Sequence, residues 1–72
     1  MKLRFKKFVS VDVQKVRLNE LWDKSFRKWD EINVEAINPN SDGKTAHIVT
    51  YENDVLLFVP LDSFEIMNFP KD

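Results

Sequence analysis

From Leu3 to Val13 the apolar residues Leu3, Phe5, Val9, Val11 and Val13 keep to odd positions. That two-residue period marks a strand with one buried face. Lys7 interrupts the stripe, and Phe8, Val16 and Leu18 fall on even positions. A bulge, turn or strand end is therefore expected near Lys7-Phe8 and another near Gln14-Lys15.

Residues 18–32 follow a different period. Wound as a helix, Leu18, Leu21, Trp22, Phe26, Trp29 and Ile32 gather on one side, with Glu20, Asp23, Lys24, Arg27, Lys28, Asp30 and Glu31 opposite. Asn19 is placed to act as an N-cap, and Glu20 to Lys24 and Asp23 to Arg27 have the favourable acid-first i to i+4 spacing. The pattern predicts an amphipathic helix whose aromatic residues belong to the core. Ile32, Val34 and Ala36 then alternate with Asn33 and Glu35, so a strand is expected from about residue 31.

Asn38 to Lys44 concentrates turn formers around the only glycine, Gly43. Two strands are expected beyond it, Thr45 to Tyr51 and the uninterrupted apolar run Val55-Leu56-Leu57-Phe58-Val59, joined through a tight Asn53-Asp54 turn. That turn would place Ile48 and Thr50 on one face with Val55, Leu57 and Val59. His47, Val49 and Tyr51 would share the other with Leu56, Phe58 and Pro60. After Pro60, Asp62 and Glu65 have capping-box spacing for a short helical turn, whereas Phe64 and Ile66 alternate as a strand would. The reading favours the turn.

These elements predict an α+β fold. One amphipathic helix packs on a small antiparallel sheet of about four strands, in the order β-α-β-β-β, and residues 1–72 form a single compact domain. A chain of 72 residues has little with which to cover a strand that is apolar on both faces. Either the Leu3 to Val13 strand curls round to close a barrel-like core, or one face meets another chain.

Chemistry adds little to this picture. The absence of cysteine removes thiol, disulfide and zinc-finger readings, the single histidine is His47, and Gly43 is too isolated to form a phosphate cradle. Asn38, Asn40, Asp42 and Gly43 reproduce the opening of a calcium loop, but Val49 stands where its bidentate Glu is required. No catalytic set, metal site, cofactor or small-molecule substrate is expected. Without a signal-peptide core or a membrane-length apolar run, the chain reads as soluble and cytoplasmic.

The expected function is protein–protein interaction, as a homodimer or as an inhibitor or adaptor of a larger protein. Its binding residues would be Val49, Tyr51, Leu56 and Phe58, with His47 at the rim. Small chains of this composition are often encoded by phages or mobile elements to redirect a host protein. The alternative is nucleic-acid binding through Lys2, Arg4, Lys6 and Lys7. This basic N-terminal segment stands out in a chain of net charge −1.

Overall fold

The odd-position stripe folds as its period predicts. Leu3 and Phe5 lie on β1 (Lys2–Phe5) and Val9, Val11 and Val13 on β2 (Val9–Lys15), all buried, in a computed structural model that describes residues 1–68. Between the two strands Lys6, Lys7 and Phe8 turn outward, so the break at Lys7 is a corner in one long extended stretch.

Both neighbours bend at the same place. On one side lie β3 (Glu20–Phe26) and β4 (Glu31–Pro39), antiparallel, with Val9 opposite Phe26 and Arg4 opposite Glu31. Stepping back from Val9 to Arg4 matches the step forward from Phe26 to Glu31, so the register survives the corner. On the other side, β6 (Asp54–Pro60) and β7 (Phe64–Asn68) place Leu57 opposite Asp12 and Phe64 opposite Phe5, again in one register. A 3₁₀ turn at Leu61–Ser63 makes the bend between them. β5 (Thr45–Thr50) joins β4 to β6 and completes an antiparallel sheet in the order β3-β2-β6-β5-β4-β1-β7.

Because β1 and β2 are halves of one bent stretch, the sheet curls back on itself. The three bends are tied together: Phe5 N–H donates to the Asp30 carbonyl (2.8 Å), Trp29 N–H to that of Phe5 (2.7 Å) and Lys6 N–H to that of Ser63 (2.7 Å). Inside the curl, the Phe5 ring stacks on Phe26 with centroids 4.3 Å apart and meets Phe64 edge-on at 6.4 Å. Leu3, Val13, Val34, Ile48, Leu56 and Val59 fill the rest of the core. The N-terminal strand does close the barrel-like core.

The expected α+β architecture is wrong. Among the described residues the fold is all-β, with seven strands and no α-helix, where four strands and a helix over residues 18–32 were expected. Of the supposed apolar stripe only Phe26 is buried, while Leu18, Leu21, Trp22 and Trp29 are more than half exposed. β3 is an edge strand that reaches past the core, so neither face has to alternate. Its apolar residues took a helical spacing that nothing in the fold uses. Asn19 is not a helix cap but a left-handed residue (φ 52°) in the β2–β3 turn, and Trp29 (φ 76°) lies in the bend between β3 and β4. Hairpin pairing with β2 from Val9 to Lys15 overrides the helical spacing.

The tail combines both readings, a 3₁₀ turn and then strand β7, but the turn starts at Pro60 with no side-chain cap. The Asp62–Glu65 capping box therefore does not form.

Candidate functional site

The β5–β6 hairpin decides which apolar residues the chain keeps outside. Its turn runs over Thr50 to Asn53, with Asn53 left-handed (φ 63°) and its N–H on the Thr50 carbonyl at 3.3 Å. The Thr50 hydroxyl also accepts from the N–H groups of Glu52 and Asp54. The expected turn at Asn53-Asp54 would have set a different register. As formed, Ile48 pairs with Leu56 and Val49 with Val55. Since an odd shift exchanges the faces of a strand, Leu56 now points inward and is 2% exposed. Val55 and Leu57 point outward and are half-buried.

Further along, a bulge restores the inward direction of Val59. Ile48 faces Leu56 but Ala46 faces Val59, leaving Leu57 and Phe58 together opposite His47. The extra residue is absorbed at Phe58, whose φ is +51°. Its N–H donates to His47 Nδ1 at 3.2 Å, and its ring lies edge-on to the imidazole with centroids 4.8 Å apart. Since Nδ1 accepts, a neutral His47 carries its proton on Nε2. The Phe58 ring is nevertheless 61% exposed.

The outer face of the hairpin is thus an apolar band. Ala36, Val49 and Val55 lie in line across β4, β5 and β6, with Leu57 beside them and the His47–Phe58 pair at one end. Of the residues expected to bind a partner, His47, Val49 and Phe58 meet on this face. Tyr51 stands at the hairpin tip, 62% exposed, and Leu56 belongs to the core. Sequence reasoning missed Ala36, Val55 and Leu57. Alternation with Leu56 would have found the last two had the turn been placed at Thr50–Asn53.

The N-terminal cations are arranged differently. Lys2 reaches Glu31 at 3.7 Å, Lys7 reaches Asp62 at 3.2 Å, and Arg4 donates from Nε to Glu65 at 3.0 Å and from Nη2 to the same oxygen. Lys6 alone of the four makes no ion pair among the described residues. Arg4 and Lys28 also lie 5.1 and 4.9 Å from the Trp29 ring centroid, within cation–π range. Of the two aromatic rings beside these cations in the sequence, Phe5 is wholly buried and Phe8 is 65% exposed.

The calcium-like turn has a structural task. Asp42 accepts from the N–H groups of Lys44 (2.8 Å) and Thr45 (2.9 Å) and from the Thr45 hydroxyl (2.7 Å). These bonds, that of Lys44 first, hold its carboxyl below the ordinary carboxylate range. Gly43, at φ +70°, completes the turn.

One end of the barrel opens into a cavity of about 300 Å³ between Val13, Lys24, Phe26, Ile32, Tyr51 and Leu56. Beside it, Trp22 shares a second hollow of about 310 Å³ with Lys15, Arg17, Leu18 and Asp54. No helix among the described residues is long and apolar enough to cross a membrane. Comparison with protein-family models, with curated proteins and with solved structures finds no match.

Proposed function

We propose that this chain is a protein-interaction module that docks through the outer face of the β5–β6 hairpin, with Phe58 as its anchor. One observation carries the reading: a bulky aromatic residue is held at positive φ and presented to solvent. A non-glycine residue in the left-handed region bears a strain of about 1–3 kcal/mol. Glycine would remove that strain, and among the described residues the ring gains only an edge-on contact with His47 and stays 61% exposed. Val49, Val55 and Leu57 give the anchor an apolar surround, and exposed aromatics so surrounded dominate the energetics of many interfaces.

Nucleic-acid binding is the weaker reading. Of its four cations, Lys2, Arg4 and Lys7 are already matched by carboxylates, which would repel a phosphate backbone.

The test uses the whole protein and its Phe58→Gly variant as baits in lysate from the cell of origin. The reading requires a protein that wild type retains and the variant loses, while the variant melts no lower than wild type. An identical set of retained proteins, or none from either bait, overturns it.

A further inference from the structure

Among the described residues, β3 is a seven-residue edge strand bonded only to β2, and every residue in it except Phe26 is exposed. Such an edge presents unpaired N–H and C=O groups to any strand of suitable pattern. Natural edges are often guarded by a charge on the inward face, and Lys24, opposite the buried Val11, has that position. A guard repels copies of itself only when like charges come to face one another.

The inward-facing residues of β3 are Glu20, Trp22, Lys24 and Phe26, since these oppose Lys15, Val13, Val11 and Val9 of β2. Their charges have a symmetry. In a two-fold antiparallel pairing, residues of like face must lie opposite one another, so the axis passes through a residue position. Centred on Trp22, the pairing sets Glu20 against Lys24 twice and Trp22 against its own copy. Centred on Asp23 it opposes two aspartates, and centred on Lys24 two lysines. Centred on Leu21, it places Glu20 against Trp22. Within β3 itself, only the Trp22 register sets opposite charges against one another.

Both charged groups are available. Neither Glu20 nor Lys24 belongs to an ion pair among the described residues. Glu20 Oε2 accepts from the Trp22 indole N–H at 2.7 Å, which leaves its other oxygen for a lysine. Trp22 is 51% exposed, with Lys15 Nζ 5.1 Å from its ring centroid. From this self-complementary pattern we propose that two copies of the chain pair antiparallel along β3, in the register centred on Trp22, to form one continuous sheet. The Glu20–Lys24 contacts select this register, and the edge charges act as an address for a second copy.

This surface is separate from the Phe58 face, and a charge-swap series with Phe58→Gly as control tests it. Sedimentation equilibrium should give a dimer for wild type and for Phe58→Gly. Lys24→Glu or Glu20→Lys alone sets like charges together and should weaken the dimer by about tenfold or more. The double variant Glu20→Lys/Lys24→Glu restores opposite charges and should recover wild-type association. Circular dichroism and thermal melting check that each variant is folded, as expected for exposed positions. A wild type that stays monomeric overturns the proposal. So do single variants that dimerise unchanged, a double variant that stays weak, or a dimer lost only with Phe58→Gly. None of these results alters the lysate comparison that tests the Phe58 face.

Discussion

Phe58 shows how one residue can be unfavourable for the fold and still define the surface. Its exposed ring gains little from burial while its backbone occupies the left-handed region. Phe58→Gly should therefore be neutral or stabilising by about 1 kcal/mol, read from urea denaturation midpoints, with Phe58→Ala at or below wild type because it keeps a Cβ. Asp42 is a second residue whose role is local. Its folded-state pKa lies below the unfolded value, so its contribution is complete above the unfolded carboxylate pKa of about 4 and disappears as pH falls through the folded value. The protection factors of the Lys44 and Thr45 amides, which donate to Asp42, should fall in that acid window. In Asp42→Ala that protection should be absent at every pH. Neither Phe58's strain nor the task of Asp42 is legible in residue types alone. Residue types marked Phe58 as a binding residue and Asp42 as part of a polar turn, but neither the positive φ of the one nor the hydrogen bonds of the other.

At the scale of elements, the chain was readable where a strand has one face in the core. The period from Leu3 to Val13 located β1, the corner and β2, since every inward position there is buried. It failed for β3, because an edge strand with solvent on both faces carries no alternation and its apolar residues fell at helical intervals. The β5–β6 hairpin failed more subtly. Both strands were found, but the turn was placed too late, and the odd change of register moved Leu56 from the outer face to the core. Asn53, left-handed in the turn as found, supplies the check. Asn53→Gly should be tolerated, whereas Asn53→Val should destabilise by about 1–2 kcal/mol, measured by chemical denaturation. If the turn instead centred on Asn53-Asp54, Asp54 would also hold a positive φ, and Asp54→Gly would be tolerated as well as Asn53→Gly.

For the molecule as a whole, stability concentrates where the three bends meet. Phe5 stacks on Phe26 from β3 and meets Phe64 from β7, so one ring links the two ends of the sheet order. Phe5→Ala should cost about 3–5 kcal/mol, comparable with the lower end of a domain's total stability. A collapsed thermal transition would report it. Val49→Ala, on the outer face, should lower the same transition far less, because that side chain is half-buried outside the core.

What the amino-acid sequence determined by itself was the alternating N-terminal stripe, the corner at Lys7, the strand beginning near residue 31, the polar turn around Gly43 and the presence of an apolar run with two faces to cover. These are local matters, settled by periodicity and turn chemistry within a few residues. Tertiary structure alone decided that residues 20–26 pair with β2 instead of winding into a helix, and that the core closes on itself. It also decided that Phe58, not Leu56, stands outside. Closure depends on pairing between residues far apart in the chain, and the two hairpins depend on register, where a one-residue change exchanges the two faces of a strand.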